Sequence, residues 1–259
     1  RTLLPVMLGW FADEADPDAG LLAFRQISDS LGATPWYLRM LRDEGSAAER
    51  LAHVLARSRY AADLLVRAPQ SVAILGTAGG LTPRSRRALL ATMTAANVRK
   101  ATADDAMMAA RVVRRQELFR IAVGDLTGGL DLAQVGTALT DLTSATLQSA
   151  LNIATRAVET DLGQSLGTCL LVVGMGRLGG AEMGYGSDAD VIFVHRADDG
   201  VDETVAQKHA TLVVQEVIRL LGLAGPDPQL VIDPGLRPEG KAGPLVRSLA
   251  GYAAYYERW

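Results

Sequence analysis

A single cysteine, Cys169, stands among the 259 residues, which excludes a disulfide scaffold or zinc finger and suits a reducing, cytoplasmic compartment. Aromatic residues make up only 5%, so any core must be built mainly from Ala, Leu and Val. No apolar run approaches the ~18 residues of a membrane span, and no signal-peptide pattern is present. An excess of charge is missing too: 26 Lys+Arg face 29 Asp+Glu, for a formal net charge of -3. That balance excludes a basic domain that coats nucleic acid, while leaving room for a local anion site. With 49% hydrophobic residues, the chain has the means to fold and is not a disordered segment. It opens at Arg1 without Met and closes on Glu257-Arg258-Trp259 with no helix stop signal, the pattern of a piece of a longer polypeptide.

Residues 1 to about 163 are predicted to be helical almost throughout. From Ala47 to Arg67 the apolar residues Leu51, Val54, Leu55, Ala61, Ala62 and Leu65 fall at helical spacing. Thr82-Pro83 has the form of an N-cap followed by proline at the first helical position. The pattern then runs through Leu89, Leu90 and Met93 toward Val112, Leu118 and Ile121, is punctuated by Gly124 and Gly128-Gly129, and restarts at Asp131 as an N-cap. Composition changes at Gly163. Cys169-Leu170-Leu171-Val172-Val173 reads as a buried strand, Asp190 to His195 as a second, and Leu230-Val231-Ile232-Asp233 as the start of a third. Between the last two, a helix starts at Asp202-Glu203-Thr204 and ends at Gly225-Pro226-Asp227-Pro228, and Ser248 caps a final helix. The expected class is α+β: helices over 1–80 and 81–163, then a small mixed-sheet unit over 164–259, cut short at its C-terminus.

The glycine-dense segment after the first strand admits two readings. Gly174, Gly176 and Gly179 satisfy the dinucleotide fingerprint, which also demands a crossover helix and an acid at the far end of the next strand. Gly184, Gly186 and Ser187 follow too soon for such a helix, and the acids Asp188 and Asp190 open the second strand instead of closing it. The dinucleotide reading fails. A P-loop fails as well, since no Gly-Lys-Ser/Thr follows. In the second reading the glycines and acids act together. Strand alternation puts Asp188 and Asp190 on one face, where paired carboxylates call for a cation. Hard oxygen ligands suit Mg²⁺ or Mn²⁺. Asp233, at the end of the third strand, joins them if the strands are neighbours. Such a cluster activates a hydroxyl and neutralises a leaving pyrophosphate, and the glycines let backbone N–H groups approach a triphosphate.

Gly179-Gly180, seven residues, then Asp188-Ala189-Asp190-Val191 resembles the signature of the polymerase-β-like nucleotidyltransferases. The longer string from Gly174 to Phe193, with Asp233-Pro-Gly-Leu-Arg-Pro-Glu-Gly-Lys241 and Tyr255-Tyr256-Glu-Arg-Trp259, is similar to the bifunctional glutamine synthetase adenylyltransferase/adenylyl-removing family. These motifs lie in residues 164–259, and Arg115 to Ala122 resembles the family's helical lead-in. The resemblance implies that Asp188, Asp190 and Asp233 are catalytic metal ligands, with ATP as substrate and glutamine synthetase as the protein acceptor. It further implies part of a regulatory segment in 1–80, with a PII-type signal protein and glutamine as effectors. Glu182-Met183-Gly184-Tyr185 resembles the AMP-attaching unit of that family more than the AMP-removing one. Met183 and Pro234-Gly235 depart from its usual residues. The competing expectations are phosphorolytic removal of AMP at the same site, and a docking module for the signal protein.

Around the acids, Gly176, Gly179, Gly180, Ser187, Arg177, Arg237 and Lys241 are the candidate nucleotide contacts, because basic side chains are needed where phosphate charge accumulates. Ser187 alternatively forms only a turn, the three basic residues are alternatively ordinary surface, and Glu182 either braces the glycine turn or is solvated. His195 reads as an edge residue, and His53 and His209 carry no role. Cys169 reads as a small apolar filler. Arg111, Arg114, Arg115 and Arg120 read as a solvated helix face, and the Met and Leu residues of 81–160 as core.

Overall fold

The computed structural model describes residues 3–77 and 79–258 and divides into two compact units, each built from two stretches of chain. Arg1 and Trp259, the ends from which a longer polypeptide was expected, lie outside the described residues. Among the described residues, no helix is long and apolar enough to cross a membrane.

One unit comprises Arg1–Arg84 and Arg115–Val135. It begins with short helices: α1 (Leu3–Ala12), α2 (Pro17–Leu31), α3 (Pro35–Asp43), α4 (Gly45–Arg57) and α5 (Arg59–Val66), then a 3-10 turn over Pro69–Leu75. Small and aliphatic side chains fill most of its interior, with Ala48, Leu51, Ala52 and Leu55 along α4, joined by Met7 and Phe11 one turn apart on α1. The expected single stripe from Ala47 to Arg67 is split at Ser58, whose backbone is extended and whose hydroxyl accepts the Ala61 N–H at 3.2 Å. Serine gives the backbone a local alternative to another helical turn.

Three more helices follow in the chain: α6 (Arg86–Asn97), α7 (Ala103–Leu126) and α8 (Leu132–Leu162). Two expectations are corrected here. Thr82-Pro83 does not start α6, because the Arg84 backbone N–H is drawn to the Glu117 carboxylate at 2.7 Å; Ser85 caps the helix instead, accepting from Ala88. The pattern from Leu89 to Ile121 is also two helices, the second opened by Thr102, whose hydroxyl accepts the Asp105 N–H at 3.1 Å. Asp131 does cap α8, in a reciprocal box: Gln134 N–H to Asp131 at 2.8 Å and Asp131 N–H to the Gln134 side chain at 2.9 Å.

The arginine run on α7 is not a solvated face. Arg111, Arg114 and Arg115 are buried and Arg120 is half-buried. Within the first unit, the fully buried Glu117 carboxylate binds Arg84 Nε at 2.7 Å and Arg120 Nε at 3.1 Å. Most Met and Leu side chains of this stretch are core, but Leu132 is 88% exposed at the start of α8.

The other unit comprises Ser85–Arg114 and Gly136–Trp259 and contains the sheet. Its later elements are β1 (Thr168–Gly174), the single turn α9 (Gly176–Gly179), β2 (Ala189–Ala197), α10 (Glu203–Leu221), β3 (Ile232–Asp233), β4 (Val246–Ser248) and α11 (Leu249–Arg258). β2 is central. β1 pairs with it antiparallel along its whole length, while β3 and β4 pair parallel to its first and later residues on the other side. Asp202 caps α10 and Ser248 caps α11, as the sequence indicates.

Alternation along β2 separates two environments. Ala189, Val191, Phe193 and His195 are buried on the α10 side, where His195 Nε2 meets the Gln207 side chain at 2.8 Å. His195 is therefore an interior residue of the central strand and not an edge residue. The opposite face carries Asp190, Ile192 and Val194, the last two covered by Tyr252 of α11. β1 is an edge strand and only partly buried: Leu171 is 58% exposed and Cys169 is exposed. Cys169 is thus not core filler, because it lies on the sheet face opposite α10 beside its register partner Arg196, which is exposed as well.

Candidate active site

The register of the sheet sets the geometry. Asp190 on β2 pairs directly with Asp233 on β3, one position after Ala189 pairs with Ile232. Register partners in a parallel pair project to the same face, so both side chains leave neighbouring positions of the sheet on the face opposite α10. The pairing is anchored by the Ala189 N–H, which donates to the Val231 carbonyl at 2.9 Å. Asp188, exposed and one residue ahead of β2, shares the parity of Asp190.

The glycine segment presses against this pair. Met175 donates its N–H to the Asp190 carbonyl at 2.8 Å, holding the turn after β1 beside the first acid. Gly176 has φ of +49°, and a Cβ there would lie 2.2 Å from Asp190 Oδ2. Only glycine combines that backbone with that approach. The N–H groups of Gly179 and Gly180 are committed inside the turn, to the carbonyls of Met175 and Gly176. A Cβ at Gly179 would lie 2.8 Å from the Gly174 carbonyl oxygen, so glycine there lets the turn close on the end of β1, whereas a Cβ at Gly180 would meet only ordinary contacts.

Ser187 and Arg177 are brought together. The Ser187 hydroxyl accepts the Gly184 N–H at 3.1 Å and lies 3.3 Å from Arg177 Nη1. Arg237 turns elsewhere, donating to the carbonyls of Pro234, Gly243 and Lys241. The Lys241 side chain is exposed. After Asp233, the Pro-Gly pair forms an Asx turn in which the Gly235 N–H donates to Asp233 Oδ1 at 2.7 Å. Asp before Pro-Gly is a turn signature in the sequence as well.

No lysine or arginine pairs with Asp188, Asp190 or Asp233 among the described residues. Adjacent carboxylates without a protein cation have the donor chemistry of a hard divalent ion site. As oriented, no three acidic, histidine or cysteine side chains among the described residues are grouped so as to hold a metal ion. The register thus brings Asp190 and Asp233 together, while the three side chains do not form a closed ligand set.

A helix-rich chain ending in a small mixed sheet, with an Asp-x-Asp strand start beside a third strand-borne acid, defines an α+β nucleotidyltransferase-like domain. The family model described as glutamate-ammonia ligase adenylyltransferase matches residues 48–259, and the chain belongs to that family. It is 55% identical over 275 residues to a "bifunctional glutamine synthetase adenylyltransferase/adenylyl-removing enzyme" of Streptomyces coelicolor, covering 100% of this chain and 27% of that protein. Proteins of the same name from Streptomyces avermitilis and Cutibacterium acnes are 52% and 48% identical, with 100% and 99% of this chain and 27% and 25% of theirs covered. The chain spans about a quarter of the length of these curated relatives.

Proposed function

We propose that this chain carries the site that transfers AMP from ATP to a tyrosine hydroxyl of glutamine synthetase, releasing pyrophosphate. The observation that supports this reading most is the register pairing of Asp190 with Asp233 beside the Gly176 turn. Family membership and the names of the relatives supply the substrate class.

In this reading Asp188, Asp190 and Asp233 would hold Mg²⁺ or Mn²⁺. The bound cation supplies a lowered hydroxyl pKa and neutralisation of pyrophosphate charge. The chain's own groups do the rest. Asp233 accepts the proton of the attacking hydroxyl as the oxygen bonds the α-phosphorus and the bond to the β-phosphate breaks. Arg177 and Ser187, already adjacent, contact phosphate oxygens from the glycine side, and Lys241 supplies a further mobile charge. Gly176 lets the turn close on Asp190 and Gly179 lets it close on the Gly174 carbonyl, and Gly180 adds no side chain beside the phosphates. A PII-type signal protein and glutamine act as effectors through residues 1–80.

The relatives' names join attachment and removal of AMP, so phosphorolysis at the same acids, with ADP as product, is the competing direction. Glu182 to Tyr185 favours attachment by resemblance. The test is the double substitution Asp188→Asn, Asp190→Asn in the full chain. Loss of ATP-dependent AMP transfer to glutamine synthetase is expected, and retained transfer would overturn the assignment. ADP formed from modified glutamine synthetase and phosphate would favour removal.

A further inference from the structure

Strand β3 carries Asp233 yet is too short to hold its own register. Its two residues make one brief pairing with Ala189 and Asp190, and Pro234 follows without an N–H to extend the ladder. A slip of one residue would turn Asp233 to the other face.

Both flanks of β3 are tied down by guanidinium groups instead. Upstream, Arg111 of α7 is 1% exposed and donates Nη1 to the Leu223 carbonyl and Nη2 to the Asp227 carbonyl. The Gln229 side chain adds bonds of 3.1 and 3.0 Å to the carbonyls of Gly222 and Leu223. Downstream, Arg237 donates to the carbonyls of Pro234 at 2.8 Å, Gly243 at 3.2 Å and Lys241 at 3.3 Å. A guanidinium is a rigid fork that spans several acceptors, whereas a lysine ammonium is a point donor.

We propose that Arg111 and Arg237 are positioning residues, a pair of clamps that set Asp233 beside Asp190 by fixing the backbone on either side of β3. The catalytic consequence rests on the reading of Asp233 above; the clamping itself does not.

Hydrogen exchange of peptides covering 228–237, read by mass spectrometry on the full chain, tests the clamping without reference to catalysis. In Arg111→Lys and Arg237→Lys, exchange there should rise about tenfold to a hundredfold, the loss expected for a charge-assisted bond, with β1 peptides unchanged. Should Arg111→Lys fail to fold, Arg237→Lys carries the test alone, since that side chain braces a surface loop. Kinetics separate positioning from phosphate contact. Arg237→Lys should lower kcat for AMP transfer with little change in KM for ATP, whereas a phosphate contact would survive lysine or raise KM. Unchanged exchange at 228–237 in Arg237→Lys, or a raised KM with unchanged kcat, overturns the proposal. Faster exchange together with AMP transfer that survives Asp188→Asn, Asp190→Asn leaves the clamps standing and removes only their catalytic purpose.

Discussion

Replacing Gly176 by alanine would put a methyl group where the Asp190 carboxylate now sits. The added Cβ would lie 2.2 Å from Oδ2 and 3.1 Å from the carboxyl carbon. Ordinary contact begins at roughly 3.5 Å, so the carboxylate or the turn must move by about 1 Å. The φ of +49° adds a cost of about 1–2 kcal/mol for a residue with a Cβ. Stability should fall by a few degrees in Tm, at about 2–4 °C per kcal/mol for a domain of this size. If Asp190 acts as proposed, the effect on rate should be larger, because misplacing a catalytic group by about 1 Å costs on the order of 100-fold. The assay is ATP-dependent AMP transfer to glutamine synthetase, with thermal unfolding in parallel. Gly186→Ala is the control, since a Cβ there meets nothing within 4 Å. If Gly176→Ala transferred AMP within about threefold of the control, the claim that this turn places Asp190 for chemistry would be refuted.

Neutralising one of the two register partners, by Asp190→Asn or Asp233→Asn, relieves like-charge repulsion. Without divalent ions these variants should be as stable as the parent or more stable by about 0.2–1 kcal/mol, while AMP transfer is lost; a destabilised variant would contradict the unpaired-carboxylate description. Glu117 is fully buried between Arg84 and Arg120, so Glu117→Gln should cost about 3–5 kcal/mol in urea unfolding, and a cost under about 1 kcal/mol would show the cluster to be dispensable. The Arg57 guanidinium, with His53 beside it, holds the Glu14 carboxyl below its usual range. Because the folded pKa is the lower one, this contribution is present above pH ~4.3 and is lost as pH falls through the folded value. Glu14→Gln should therefore flatten part of the acid-side fall in Tm, and an unchanged profile would discount the pair.

The polar signals were the best guides to this fold. Helix starts at Asp131, Asp202 and Ser248 were readable because each side chain satisfies its own backbone within a few residues. The Asp-x-Asp strand start and the strand-borne Asp233 were readable for a similar reason: residue type and alternation fix the face. The interruptions were less visible. Ser58 and Ser85 end or start helices through bonds that any serine could make or forgo, and Thr82-Pro83 lost its cap to a contact with Glu117, 33 residues from Arg84. Burial of Arg111 depends on backbone carbonyls over a hundred residues away, which no local pattern encodes. Cys169 and His195 were misplaced because apolar neighbours reveal that a strand exists, not whether it is central or at an edge.

The most direct test of the central claim is a Mn²⁺ titration followed by electron paramagnetic resonance, in the presence of a non-hydrolysable ATP analogue. If Asp190 and Asp233 together hold the ion, each single Asn substitution should weaken Mn²⁺ binding by about tenfold or more. Mn²⁺ affinity that is the same in the parent, Asp190→Asn and Asp233→Asn would contradict the account.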